Sequence, residues 1–212
     1  MPKLAYSPGT RAPLKPVYWV GSSLKDLRAC PDEVQDAVGY ALLLAQEGGQ
    51  HPAAKPMKGE LQGLVEVVED HTSGTYRAVY TAKLANMVYV LHVFQKKATR
   101  GIGGGPMKII KSSGNVFADL GLPEAPERLL KARLAAEIAR TIAGRKLTQA
   151  AAAELMGIDQ PKVSHLLHGR LAGFSTERLL TWLTALGRDV EIVVHRPSRR
   201  RAGRLRLRTA RH

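Results

Sequence analysis

The chain has 212 residues, of which 44% are hydrophobic and 24% charged, with one cysteine and a formal net charge of +14. This composition is typical of a folded globular protein and excludes a disordered one, while the single Cys30 excludes an internal disulfide. No apolar run approaches the roughly 20 residues that span a bilayer, and the N-terminus lacks the pattern of a secretion signal, so we expect a cytoplasmic protein. The length exceeds the usual single-domain size of roughly 100 to 150 residues, which predicts two domains.

The first 97 residues predict a small α+β domain. After a proline-rich start, a short strand is expected over 17–20, followed by a helix over 22–30 and a second helix over 31–47. Three further strands are expected near 64–69, 75–83 and 87–97. Because short segments connect these three strands, we predict an antiparallel sheet with the two helices on one face.

A segment without helical or strand periodicity separates this domain from the next. Residues 98–106 read Ala-Thr-Arg-Gly-Ile-Gly-Gly-Gly-Pro, and we assign 98–112 to a flexible linker and junction. Met107, directly after Gly-Gly-Gly-Pro, resembles a former start codon, so a natural gene fusion and an engineered one are both open. A fully extended chain over 98–106 reaches roughly 30 Å at most, which keeps the two domains neighbours.

Residues 113–195 predict an all-α domain with a terminal strand. Helices are expected between 124 and 187, with Thr148, Asp159 and Ser175 or Thr176 at their N-caps. A last strand is expected over 189–195. We expect it to pair with a second subunit, because a single strand on a helical domain leaves its backbone hydrogen bonds unmet.

The tail, residues 196–212, is rich in arginine. It holds eight arginines and no acidic residue, whereas residues 1–106 and 107–195 each carry 12 basic and 9 acidic residues. A run of like charge is usually solvated and without fixed structure. The tail is therefore expected either to attract phosphates without sequence preference or to be a plain extension.

The stretch 147–169 meets the requirements of a helix-turn-helix. Ala153 is small where the two helices must touch, and Gly157 permits the tight turn between them. One face of the second helix carries apolar side chains and the other polar ones. A protein-binding bundle is the alternative, and the polar exposed face argues against it.

The polar face of the second helix supplies the candidate DNA-binding residues. Gln160 is our candidate for reading a base, because an amide can bond both edge atoms of adenine in the major groove. The residues expected in the groove are Gln160, Pro161, Ser164 and His165, and those expected on phosphates are Gln149, Lys162, His168 and Arg170.

Nearly all of residues 107–195 resembles the XRE-type antitoxins of HigA-like systems. The resemblance rests on the helix-turn-helix and on Ser-Gly-Asn-Val-Phe-Ala-Asp-Leu-Gly-Leu-Pro at 113–123, Gly-Phe-Ser-Thr-Glu-Arg-Leu-Leu at 173–180 and Ala-Leu-Gly-Arg-Asp-Val-Glu-Ile at 185–192. It implies a dimeric repressor that binds operator DNA and neutralises a toxin.

The first domain offers cations on a sheet and little other recognisable chemistry. It has no phosphate-binding glycine loop, no metal-ligand spacing and no Ser-His-Asp set, so we expect neither a metal nor a cofactor. Clustered lysine and arginine could stabilise the charge that develops when an RNA 2′-hydroxyl attacks a phosphodiester, and His92 or Tyr80 could move a proton. Basic strand ends are also commonly solvated without any such role.

Most of residues 15–100 resembles HigB-type toxins of the RelE superfamily. The resemblance rests on Met-Lys-Gly at 57–59, Tyr-Arg-Ala-Val-Tyr at 76–80 and Val-Leu-His-Val-Phe-Gln-Lys-Lys at 90–97. It implies a RelE-like fold and metal-independent cleavage of mRNA on the ribosome, with the catalytic candidates Lys58, Arg77, His92, Lys96 and Lys97. The family usually continues past this last strand, whereas here the glycine segment follows.

Together the two resemblances predict a self-neutralised toxin-antitoxin fusion that forms a homodimer on operator DNA. The alternatives are a repressor with an inactive RelE-like domain and an active ribonuclease that its C-terminal domain regulates. The predicted partners are operator DNA, mRNA on the ribosome if the toxin domain is released, and the antitoxin domain of the same chain or of a dimer mate.

Overall fold

The computed structural model describes residues 14–81, 86–96, 108–194 and 207–208. The N-terminal half contains five strands and two helices within these residues. They are β1 (Val17–Val20), α1 (Ser23–Arg28), α2 (Asp32–Gln46), β2 (Ala54–Pro56), β3 (Leu64–His71), β4 (Gly74–Thr81) and β5 (Val88–Gln95), with a short 3₁₀ turn at Gly59–Leu61. Both predicted helices and all four predicted strands form within a few residues of the expected bounds.

Between residues 108 and 194, the C-terminal half contains one strand followed by five helices. They are β6 (Ile109–Lys111), α3 (Val116–Leu120), α4 (Ala125–Gly144), α5 (Gln149–Met156), α6 (Gln160–Leu167) and α7 (Thr176–Ala185). The Thr148 hydroxyl accepts the Ala151 N–H at the start of α5, and Ser175 caps α7 in the same way through Arg178. Asp159 precedes α6 without a side-chain cap bond.

The sheet is mixed, which corrects the predicted antiparallel arrangement. Its strand order is β2-β3-β4-β5-β1-β6. The neighbours from β2 to β5 are antiparallel, but β1 runs parallel to β5, with Trp19 opposite Val90. Two helices and three strands separate β1 from β5 in the chain, and a connection of that length permits a parallel pair.

Part of the expected flexible junction is an ordered strand. Residues 98–107 lie outside the described part of the chain, but β6 pairs with β1 as the antiparallel edge strand of the sheet. The pairing is continued by the Gly21 N–H on the Lys108 carbonyl at 2.8 Å and by the Ser112 N–H on the Val17 carbonyl at 2.9 Å. The C-terminal half therefore contributes a strand to the N-terminal sheet.

The terminal strand predicted over 189–195 does not form within one chain. Residues 188–194 have no regular secondary structure, and His195 lies outside the described residues. The Ile192, Val193 and Val194 side chains are 74%, 60% and 88% exposed. A segment without a neighbouring strand has no ladder to join within one chain, and its expected pairing with a second subunit stays a prediction.

One hydrophobic core runs through both halves. Helix α2 packs on the sheet with one side and on α3 and α4 with the other, and nearly all of its residues are buried. Tyr40 and Leu42 of α2 belong to the same buried cluster as Leu134 and Ile138 of α4. The sequence predicts two separate units that a short flexible linker holds together. Most of what joins the halves is instead this shared core. Within the described residues, no helix is long and apolar enough to cross a membrane.

Candidate nucleic-acid interfaces

Helices α5 and α6 have the packing that the sequence predicts for a helix-turn-helix. Ala153 is 5% exposed against its neighbours, and Gly157 ends α5 with a φ of +64°, the left-handed conformation that glycine adopts without strain. Val163 and Leu166 of α6 are fully buried. The remaining face of α6 is consequently turned outward.

The N-terminal part of α6 is polar and exposed. Gln160, Pro161, Lys162 and His165 are exposed, while Ser164 is half-buried. The Gln160 Nε2 donates to Gln149 Oε1, so the two amides form a pair across the turn. Lys162 Nζ lies 2.8 Å from a carboxylate oxygen of Asp159, an exposed ion pair that a phosphate can replace at little cost.

His168 and Arg170, which were expected on phosphates, form hydrogen bonds within the protein. The His168 Nδ1 lies 2.8 Å from the Ser164 carbonyl oxygen. The Arg170 Nε donates to Glu69 Oε1 at 2.7 Å, and its Nη2 lies 3.4 Å from the Asp70 carbonyl oxygen. The His168 contact is local to α6, whereas the two Arg170 contacts join the end of α6 to the N-terminal half.

The second candidate surface is the face of the sheet turned away from α2, which we call the open face. It consists of two rows of side chains across the strands: Lys55, Glu66, Val79 and His92 in one, and Val68, Arg77 and Phe94 in the other. The residues that alternate with them, such as Val67 and Ala78, are fully buried. Arg77 and His92 therefore share a surface, as the resemblance implies.

Charges on the open face are partly neutralised. Arg77 Nη1 donates to Glu66 Oε1 at 2.7 Å, an ion pair with both side chains partly buried. The Arg77 Nε is buried with no hydrogen-bond partner among the described residues. The His92 ring stacks on Phe94 with a centroid distance of 4.8 Å. Glu66 is thus a part of this site that the sequence did not reveal.

The other catalytic candidates do not join Arg77 and His92 in one cluster. Lys58 is exposed and follows β2, beside the end of the sheet where Leu64 pairs with Thr81. Lys96 is exposed at the other end, where its N–H bonds the Thr75 carbonyl. Six residues of strand, about 20 Å, separate the two ends. Lys97 lies outside the described residues.

Tyr80, the other candidate proton donor, lies on the wrong side of the sheet. Its side chain is 1% exposed and belongs to the core under α2. Burial raises the pKa of its phenol to about 12. Tyr80 therefore packs the core and does not reach a ligand on the open face.

Two family models match the chain, one in each half. Residues 25–101 match the family described as phage derived protein Gp49-like, and residues 116–195 match a helix-turn-helix domain. The chain therefore carries a Gp49-like domain followed by a helix-turn-helix domain. A solved structure provisionally assigned as an XRE family transcriptional regulator is 49% identical over 42% of this chain and all of its own, with a TM-score of 0.39. No curated protein gave a significant match.

Three arginines of the helix-turn-helix domain bind carboxylates of the Gp49-like domain. Each carboxylate side chain is at least about nine-tenths buried, and the pairs are Arg128 with Asp36 at 2.6 Å, Arg140 with Glu47 at 2.7 Å and Arg170 with Glu69 at 2.7 Å. Burial raises the pKa of the Asp36 and Glu69 carboxyls, while the paired arginines oppose that shift. Loss of one partner would leave a buried charge uncompensated.

Further hydrogen bonds and close packing extend the interface beyond these ion pairs. The Trp19 indole N–H donates to Asp119 at 3.1 Å, and the Arg28 guanidinium donates to the Asp119 carbonyl. Gly39 in the middle of α2 allows close packing of α3, because a Cβ there would lie 2.7 Å from the Phe117 ring. Glycine in a helix interior is otherwise unfavourable, so Gly39 was a readable signal of this approach.

Proposed function

We propose that the protein is an operator-binding transcriptional repressor fused to a latent, metal-independent mRNA endoribonuclease. In this proposal the Gp49-like domain is HigB-like, the helix-turn-helix domain is HigA-like, and the two form a self-neutralised toxin-antitoxin pair in one chain. The observation that carries the DNA-binding part is the exposed polar start of α6, with Gln160 paired to Gln149 above a core of Val163 and Leu166. That geometry suits a helix inserted into the major groove.

The proposed DNA-bound form is a homodimer. Helix-turn-helix dimers place their two recognition helices about 34 Å apart on successive half-sites of a palindrome. The exposed apolar segment of residues 190–194 supports this proposal, since pairing with the same segment of a second copy would cover side chains that one chain leaves in solvent.

Footprinting of the promoter upstream of the chain's own gene tests operator binding. We expect protection of an inverted repeat by the full chain, and loss of most specific affinity in Gln160→Ala, because one bidentate amide contributes roughly 1 to 3 kcal/mol of base discrimination. Gln62→Ala is the matched control, since Gln62 is an exposed glutamine of the other domain. Protection without an inverted repeat, or equal binding by both variants, would contradict the proposal.

The proposed ribonuclease site is the open face and its flanks. Arg77 would stabilise the reacting phosphate and His92 would transfer a proton, while Lys58 at one end of the sheet and Lys96 with Lys97 at the other would bind neighbouring phosphates of the RNA. The described helices α3 and α4 pack on α2, on the other side of the sheet. Inhibition in our proposal therefore comes from the bulk of the fused domain, which hinders entry into the ribosome, and not from coverage of the cations.

An inactive Gp49-like domain is the second candidate, and the Arg77–Glu66 ion pair favours it by neutralising the central cation. Purified full chain in a translating extract separates the possibilities. The first proposal expects mRNA cleavage that is weak in the full chain, stronger in Glu66→Gln and absent from Glu66→Gln with Arg77→Ala. No cleavage by any variant would support the inactive domain, and strong cleavage by the full chain would indicate a regulated ribonuclease.

A further inference from the structure

The C-terminal end of α6 is held by the Gp49-like domain. His51, in the loop before β2, lies with its Nε2 3.2 Å from the carbonyl oxygen of His168, and the two rings meet edge to face at 5.6 Å. Gly169 packs on Tyr40 of α2 so closely that a Cβ there would lie 2.5 Å from the tyrosine. The next residue, Arg170, forms the ion pair with Glu69. Three successive residues after α6 are thus fixed by the other domain.

The bonding of His51 determines which atom carries its proton. The His51 Nδ1 accepts the Ala53 N–H at 3.1 Å, so the neutral ring must carry its hydrogen on Nε2. Nε2 is therefore the donor to the His168 carbonyl, a group that the end of a helix leaves without an intrahelical partner. The ring is 1% exposed, and burial lowers the pKa of His51 to about 4, which keeps it neutral near pH 7.

Movement at this end of α6 is transmitted to the end that carries Gln160. The helix is eight residues long, or about 12 Å, and behaves as a rigid rod over that length. A tilt about the His168 end therefore displaces the Gln160 amide relative to the groove. A side chain that reads a base edge tolerates only displacements well below 1 Å.

We propose that the Gp49-like domain is a structural part of the DNA-reading unit, in which His51 is a positioning residue that fixes the recognition helix through the His168 carbonyl. This inference rests on the proposed operator binding. It assigns to the Gp49-like domain a role in DNA recognition without a DNA contact. His51 acts on α6, and only α6 acts on the base.

The experiment compares full-length variants on the promoter fragment upstream of the gene, with an unrelated duplex of equal length as the reference. We expect His51→Ala to bind the promoter fragment roughly fivefold to tenfold more weakly, the effect of one lost hydrogen bond to a helix end, with unchanged affinity for the unrelated duplex. His51→Gln retains a side-chain N–H and should recover most of the affinity. Trp19→Phe removes an interdomain hydrogen bond to Asp119 of α3, which does not involve His168, and should bind like the wild type.

Amide hydrogen exchange gives a readout that does not depend on DNA. The N–H groups of His168, Gly169 and Arg170 bond back to carbonyls of α6. We expect these amides to exchange several-fold faster in His51→Ala at unchanged overall stability, and at the wild-type rate in His51→Gln and Trp19→Phe.

The DNA affinities and the amide exchange rates distinguish a failure of the proposed operator binding from a failure of the positioning role of His51. If the wild type binds the promoter fragment no better than the unrelated duplex, the proposed operator function is wrong, and with it the assigned role in DNA recognition. If the wild type binds specifically but His51→Ala binds equally well, or if exchange of the three amides is unchanged, operator binding stands and the positioning role of His51 is overturned. Equal losses in His51→Ala and Trp19→Phe would also overturn it, because they would indicate general destabilisation.

Discussion

His51 shows how a single residue ties the association of the two domains to pH. Burial, the largest cause, lowers the pKa of His51 to about 4 from an ordinary value near 6.5; the hydrogen bond to the His168 backbone opposes this shift, and electrostatic interactions with the His168 ring and Arg170 add to it. The unfolded chain therefore binds one more proton than the folded chain between about pH 6.5 and pH 4. The free energy of unfolding falls as pH decreases through this window and loses nothing further from His51 below it.

We predict that His51→Gln removes this dependence. The difference in unfolding free energy between the wild type and His51→Gln should change by roughly 3 kcal/mol from pH 7 to pH 4, because that is the stability linked to a shift of this size. The raised pKa values of Asp36 and Glu69 act in the opposite direction but are present in both proteins and cancel in the difference. Urea denaturation at several pH values measures this difference in unfolding free energy. If the unfolding free energies of the two proteins change in parallel with pH, His51 is not buried in the folded chain.

A second residue-scale prediction concerns Gly169, which packs against Tyr40 of the other domain. Its φ is +74°, and a Cβ would lie 2.5 Å from Tyr40, whereas Gly157 has a similar φ of +64° with nothing within 4 Å of its Cβ. Gly157→Ala should therefore lose only the backbone preference, about 1 kcal/mol. Gly169→Ala should lose about 1 to 3 kcal/mol more through overpacking. Thermal unfolding of both variants tests this, and equal losses would argue against the close contact.

At the scale of the element, the basic residues in and directly after α6 fall into two groups. Lys162 is exposed beside Asp159 and free to reach a phosphate, while Arg170 is bound to Glu69. We predict that Lys162→Ala weakens binding to all DNA and reduces the salt slope of log K by about 1, because one fewer counterion is released. Arg170→Ala should weaken operator binding with no change in slope. A reduced slope in Arg170→Ala would mean that Arg170 leaves Glu69 for a phosphate in the complex.

The elements also show what local sequence can predict. Thr148 and Ser175 mark helix starts because the cap bond joins residues only three apart, and Gly157 marks a turn through its own φ. Strand β6 has three residues and no pattern of its own, since its ladder depends on β1, some 90 residues away. The parallel pairing of β1 with β5 is equally non-local. The alternation over 189–195 predicts a strand. Within the described residues of one chain, however, no neighbouring strand pairs with it.

At the scale of the whole molecule, the least predictable feature is the interface between the domains. Asp36, Glu47 and Glu69 look like ordinary surface charges in the sequence, and so do the arginines that meet them. Their burial arises only when α3, α4 and the loop after α6 pack on the Gp49-like domain. The open face was partly predictable, because strand alternation alone places Arg77 and His92 together, but Glu66 is identified only by register.

Because a common core, β6 and three ion pairs join the domains, the covalent linker should not be needed to hold them together. A protease site inserted between Gly103 and Gly104 allows the purified chain to be cut after folding. We predict that the two fragments co-elute in gel filtration at physiological salt. Arg128→Glu, which places a second carboxylate against Asp36, should release them after the same cut, at a cost of several kcal/mol for an unpaired buried charge. Separate elution of the wild-type fragments would show instead that the tether, through its high effective concentration, maintains the contact.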